Sequence, residues 1–463
     1  MSADDACATV LKDRYGCPDG YDLFKPLAPL QPQPGFFRFG RDTIGYGRSA
    51  CGALPKPFKT CSDDLPDVFS STVVGNNEVA LPFDPVEVIE NLRWERYASV
   101  AQKGIWWNII QTPYYAVRPL MPVGFRKYLQ RAYINNWRQI AFPDWPVDRT
   151  VETLYEQLLA ISLRSRKQQE MPFVWFWPAG YSGCVILTHD IESAAGRDFC
   201  PRLIDIDQSF GMKSSFQVVP EQSYEVTPLF RERLRTSGCE INLHGLTHDG
   251  QLFRERKKFL KQAAEINRYA REYQAAGFRS PVPYRNLEWL GELSISYDMS
   301  VPNVAHLDPQ RGGCCTVMPY FVGDILELPL TMTQDYALFN ILGQHSIDLW
   351  KQQIDLVMAK HGLISFNIHP DYIMSEPYSG LYRELLHTLK RVCLEKNLWI
   401  ALPAEVNQWW RLRQKMQVAV SSGQKAYITG PYHESAALAY AKLDGEKIVY
   451  EVRDTRTASV FAA

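Results

Sequence analysis

The chain has 463 residues, 46% of them hydrophobic and 22% charged, with a formal net charge of −1. That composition can bury a sizeable core, which excludes a disordered chain, and the near-neutral balance removes the electrostatic reason to propose nucleic acid or an anionic membrane surface as the main partner. At roughly 150 residues per domain the length allows about three units, but one α/β barrel absorbs roughly 200 to 250 residues, so a single catalytic barrel with additions fits equally well.

The N-terminal stretch Met1 to Gly16 carries acidic residues and no long apolar core, so it reads as neither a secretory signal nor a transit peptide. No run reaches the ~20 apolar residues of a spanning helix, and the apolar cluster at Ile105–Ile110 is far too short. A cytoplasmic protein is the expectation. Ten cysteines are scattered along the chain; only Cys314 and Cys315 are adjacent, and that spacing does not make a zinc knuckle. Buried free thiols are expected in place of disulfides.

Residues 1–84 are rich in Pro, Gly and Asp, with short aromatic runs such as Gly35–Gly40, and read as loops and short strands. Residues 85–179 turn helical, with apolar side chains at three-to-four spacing in Val86–Leu92 and Val151–Leu159, and are expected to pack on the domain that follows. From 180 to 413 short apolar runs alternate with helical stretches, the texture of βα units. Strands are predicted at Val185–Thr188, Ser215–Val219, Glu240–Leu243, Ile325–Leu328, Leu363–Asn367 and Trp399–Leu402. Helices are predicted at Lys257–Gln274 and Ile347–Lys360. The tail from 414 to 463 is β-prone, with Lys447–Val452 predicted as a strand of a small sheet.

The polar residues at the strand ends carry the chemistry. Asp190 and Glu192 end the first predicted strand, His244 and His248 the third, and His369 a later one. In a parallel barrel the C-terminal strand ends share one face, where barrel active sites are built. Glu192, His244 and His248 offer one carboxylate and two imidazoles, a set suited to zinc or another divalent transition metal with positions left for water and substrate. His244-Gly245-Leu246-Thr247-His248 has the spacing of a zincin helix, but Gly245 replaces the catalytic Glu and the segment follows a strand, which disfavours a helical metalloprotease.

The ordered motifs resemble the NodB-like polysaccharide deacetylases over about half of the chain. Thr188-His189-Asp190-Ile191-Glu192 resembles the first motif, His244 to His248 the second, Phe278-Arg279-Ser280-Pro281 the third and Asn367-Ile368-His369 the last, while Trp289 to Asp298 resembles the surroundings of the fourth. The resemblance implies a deformed (β/α) barrel with an N-terminal α+β extension, a bound divalent metal, and hydrolysis of an N-acetyl or similar acyl group on a sugar. It implies Asp190 as base, His369 as acid, Arg279 as the residue that holds the base, and Glu192, His244 and His248 as metal ligands. Ile191 departs from the usual adjacent carboxylates, and Gly245 from the usual hydroxyl after the first His.

With a cytoplasmic address, the substrate expected is a glycan precursor such as a nucleotide- or lipid-linked sugar. An amidohydrolase acting on a non-sugar C–N bond and a silent carbohydrate-binding scaffold are the competing readings. A serine hydrolase lacks its GxSxG elbow here, and a non-haem iron oxygenase would need no acid and base in this order. His345 and His361 are read as structural and His306 as bordering a pocket; Trp289, Tyr284 and Tyr320 are read as core residues.

Overall fold

The computed structural model describes residues 9–62, 64–98, 136–221, 224–423 and 425–454. The apolar cluster Ile105–Ile110 lies outside them. Two compact units emerge, one from residues 1–101, 149–181 and 408–463, the other from residues 102–148 and 182–407. Among the described residues no helix is long and apolar enough to cross a membrane.

In the first unit, the Gly- and Pro-rich N-terminal stretch forms short strands. Phe24–Pro26 lies parallel to Val79–Leu81, and Gly35–Arg38 makes a hairpin with Ile44–Gly47. The helix Pro85–Arg93 starts on Asp84, whose carboxylate accepts from the Val86 and Glu87 amides, with Pro85 in the first turn, where its missing N–H costs nothing. Helix Thr150–Ser165 buries Val151, Leu154, Tyr155, Leu158 and Leu159, the predicted stripe. The β-prone tail supplies a hairpin, Gln417–Val420 with Ala426–Thr429, and two further strands, Leu438–Asp444 and Lys447–Asp454, of which Leu438–Asp444 also pairs with Glu170–Val174 in an antiparallel three-stranded sheet.

The second unit is a curled α/β sheet, the deformed barrel expected from the sequence. Its strands are β1 (Gly183–Ile191), β2 (Ser214–Val218), β3 (Glu240–Leu243), β4 (Gly277–Phe278), β5 (Tyr297–Asp298), β6 (Tyr320–Val322), β7 (Ile325–Glu327), β8 (Leu363–Asn367) and β9 (Leu398–Ile400). They run in the order β6-β7-β5-β4-β3-β2-β1-β8, with β9 also paired to β1, and every neighbouring pair is parallel except β6–β7. Helices α1 (Ala194–Ser209), α2 (Pro228–Thr236), α3 (Arg256–Tyr273), α4 (Asp348–Met358), α5 (Pro370–Ile373) and α6 (Tyr378–Glu395) connect them. All nine residues of β1 and all five of β8 are buried. Strands covered on both faces read as continuous apolar runs, which is why the sequence revealed them.

No ladder joins β7 to β8, and the segment after β7 meets β8 through a few single bonds. Thr331 Oγ1 donates to the Leu363 carbonyl at 2.7 Å and accepts from the Ser365 amide at 3.0 Å, while the Met332 amide reaches the Ser365 carbonyl at 3.3 Å. Side-chain and main-chain bonds together thus stand where a regular strand pair would. The two-residue strands β4 and β5, and β6, were not predicted.

Candidate functional site

Asp190 and Glu192 stand at and just beyond the C-terminal end of β1. His244 follows β3, its amide bonded to the Val218 carbonyl at 2.8 Å, and His248 lies on the loop after it. His369 follows β8 and opens α5. The parallel register of β1, β2, β3 and β8 therefore brings all five to one end of the sheet.

Three of them converge. One ligand atom each of Glu192, His244 and His248 lies within 4.8 Å of the others. His248 Nε2 is 2.9 Å from Glu192 Oε1 and His244 Nε2 is 3.9 Å from it. Metal–ligand bonds of roughly 2.0–2.2 Å at tetrahedral angles put neighbouring donors about 3.4 Å apart, so these spacings bracket what a zinc-type ion requires. His244 Nδ1 faces the Arg279 carbonyl at 3.1 Å, an acceptor, so Nδ1 carries the proton and Nε2 presents its lone pair. The buried Nε2 atoms of His244 and His248 have no hydrogen-bond partner of good geometry. Orphaned buried nitrogens aimed at a carboxylate fit a divalent cation.

Asp190 borders this group, its Oδ2 3.7 Å from His244 Nε2, and has hydrogen-bond partners of its own. Its Oδ1 accepts from Arg279 Nη1 at 2.9 Å and its Oδ2 from Asn367 Nδ2 at 2.8 Å. Burial pushes the carboxyl up, but the Arg279 guanidinium, with His244 and His369, outweighs it and leaves Asp190 below the ordinary carboxylate range. Arg279 is fixed in turn by the Met299 carbonyl at 3.0 Å and Thr188 Oγ1 at 2.8 Å. Glu192 is likewise favoured by burial to rise, and the three imidazoles carry it well below its usual value.

His369 pairs with a carboxylate the sequence reading did not single out. Asp335 Oδ1 lies 2.6 Å from His369 Nδ1, and Asp335 Oδ2 accepts the His369 amide at 2.8 Å. Burial disfavours the charged ring, yet Asp335 and Glu192 together raise its pKa well above the free value. His369 Nε2 is thereby turned toward Glu192 Oε1 at 3.5 Å and Asp190 Oδ2 at 4.0 Å. Asp335 is fully buried, and the sequence marks it only as the one Asp between Ile325 and Leu342, with nothing to join it to His369.

Gly245 has φ +69°, and a Cβ there would lie 2.5 Å from Pro281 Cγ, so the ring of the third motif fills the space of the missing hydroxyl residue. Trp289 packs 5.3 Å from Phe259 and 6.3 Å from Phe253, and its ring contacts include none of the five residues at the sheet end. His306 is 2% exposed and stacks 5.8 Å from Trp145, which with Leu307 and Met332 lines a small pocket. His361 bonds the Ser182 carbonyl through Nδ1 at 3.0 Å. Cys314 and Cys315 are buried, their thiols donating to the Thr316 and Gly313 carbonyls.

No family model matches the chain, and no curated protein matches it. Several solved structures match about half of it. A protein from Mycobacterium smegmatis assigned as a polysaccharide deacetylase is 19% identical, with a TM-score of 0.42 over 51% of this chain and 93% of its own. The Puue allantoinase is 12% identical, with a TM-score of 0.42 over 51% of this chain and 92% of its own. A family 4 acetyl xylan esterase from Clostridium thermocellum, solved with cobalt, is 14% identical, with a TM-score of 0.34 over 49% of this chain and 91% of its own.

Proposed function

We propose that the second unit is a metal-dependent hydrolase that removes an N-acetyl or related acyl group from a glycan or glycan precursor, a nucleotide- or lipid-linked sugar among them. The observation that carries this reading is the meeting of three differently partnered groups within one small volume. Glu192, His244 and His248 present a cation site, Asp190 is kept ionised by Arg279, and His369 is kept charged by Asp335.

A divalent ion of zinc type held by Glu192 Oε1, His244 Nε2 and His248 Nε2 would polarise the acyl oxygen and make water acidic enough to attack near neutral pH. Asp190 Oδ2 takes the proton of that water as the new C–O bond forms. His369 Nε2 then delivers its proton to the nitrogen as the C–N bond breaks, releasing the carboxylate and the free amine. Arg279 and Asn367 keep the base carboxylate oriented, and Asp335 keeps the acid's proton on the nitrogen that faces the site. Neither group needs to reorganise during the reaction, which is the economy of a preorganised polar site.

Elemental analysis of the purified protein, paired with acetate release from a panel of N-acetyl sugars, nucleotide sugars and non-sugar amides, tests the reading. About one zinc-like metal per chain with release from sugars supports it. Release from non-sugar amides alone moves the substrate class, and absence of metal after reconstitution overturns the proposal.

A further inference from the structure

The residue between Thr188 and Asp190 is a histidine that faces away from the site. His189 is fully buried. Its Nδ1 lies 3.1 Å from the Ile368 carbonyl and its Nε2 3.0 Å from Asp207 Oδ2 on α1. A carbonyl can only accept, so Nδ1 carries a proton and donates it. Asp207, also fully buried, is gripped from other elements as well, by Ser214 Oγ of β2 and Tyr382 Oη of α6.

The place of this contact in the sheet gives it meaning. The β1–β8 ladder ends at the pair Thr188–Asn367, followed by one last bond from the Ile368 amide to the Thr188 carbonyl at 3.0 Å. Asp190 and His369 stand two residues beyond that last pair, where no further main-chain bond joins the strands. The His189 imidazole takes the next acceptor in line, the Ile368 carbonyl. It thus adds a side-chain rung next to both Asp190 and His369, and the rung is anchored to the helical layer through Asp207.

We propose that His189, oriented by Asp207, is a positioning residue that sets the spacing of Asp190 and His369, 4.0 Å apart between Oδ2 and Nε2; this rests on the acid and base roles proposed above. A histidine that only filled the core would satisfy both nitrogens without regard to which bond mattered. A positioning residue depends on the Nδ1 bond. Asn places an amide N–H where Nδ1 stands and Gln places one where Nε2 stands, so the two variants divide the contacts.

The test compares His189→Asn, His189→Gln and His189→Phe in the full metal-loaded chain. His189→Asn is expected to keep kcat within about threefold of the parent. His189→Gln and His189→Phe are expected to lose about 10- to 100-fold in kcat with KM and metal content unchanged, the scale of a misplacement near 1 Å. Equal kcat in the Asn and Gln variants, or a loss confined to KM or to metal content, overturns the proposal. If the parent turns over no acyl substrate, the proposed function falls, and the crystal structures of the Asn and Gln variants decide this inference separately. A separation of Asp190 and His369 kept in Asn and lengthened in Gln upholds it, and the same separation in both rejects it.

Discussion

Asp190 and Glu192 are two residues apart, and their surroundings give them different work. Asp190 has both oxygens occupied by Arg279 and Asn367, whereas Glu192 Oε1 faces three imidazole nitrogens. Asp190→Asn keeps the shape and leaves the cation donors untouched, so metal content should stay at the parent level while kcat falls by at least about a hundredfold, the worth of a general base. His244→Ala removes a donor and should lose metal and turnover together; a His244→Ala protein that keeps both would remove His244 from the ligand set. Gly245→Ala should lower stability by about 1–3 kcal/mol in denaturant titration, from a β-carbon in a left-handed conformation set against Pro281. At this scale the sequence showed which residues reach the sheet end, because polar groups closing apolar runs are conspicuous. It did not show Asp335, since its meeting with His369 depends on the path of Thr331–Gln334 beside β8, which no local pattern encodes.

Elements explain which strands could be read from the sequence. β1, β3 and β8 are runs of four to nine residues and were predicted within a few positions, whereas β4 and β5 have two residues each and show no period at all. Their ends are fixed by side chains instead. Asp298 Oδ1 accepts from Ser300 Oγ at 2.6 Å, Ser300 Oγ accepts the Ser280 amide at 2.8 Å, and Glu327 Oε1 accepts the Val301 amide at 3.0 Å. The remaining oxygens, Asp298 Oδ2 and Glu327 Oε2, are buried and meet no donor, and each carboxyl acts on the other. Burial pushes both up, Glu327 the further because Asp298 adds to it. A carboxyl with a raised folded pKa binds its proton more tightly in the native state. Its contribution is therefore complete below the unfolded value of about 4 and is lost as pH rises through the folded value. Glu327→Gln keeps the acceptor for Val301 and supplies a permanent donor to Asp298. The melting temperature of Glu327→Gln minus that of the parent should grow as pH is raised from about 4.5 to 8; a difference that is flat or shrinks with pH would show that the pair is not held protonated.

Over the whole molecule, the first unit is assembled from three separated stretches of sequence, an arrangement that composition and periodicity along the chain cannot reveal. What joins them is an aromatic cluster. Tyr450, from the tail, has its ring centroid 5.5 Å from Phe173 and 5.7 Å from Phe176, and its hydroxyl meets that of Tyr15 at 2.9 Å. Tyr15 itself stands edge-on to Phe173 at 5.3 Å, so one ring from each stretch shares the same contact. Offset and edge-to-face pairs of this kind add about 0.5–1.5 kcal/mol each beyond the area they bury. Tyr450→Phe loses only the hydroxyl contact and should cost about 1 kcal/mol. Tyr450→Ala opens a cavity among all three stretches and should cost about 3 kcal/mol. Denaturant unfolding followed by tryptophan fluorescence, which Trp175 beside Tyr450 reports, measures both. A cost for Tyr450→Ala no larger than that for Tyr450→Phe would mean that the strand ladder from Glu170–Val174 through Leu438–Asp444, and not the ring cluster, holds the tail in place.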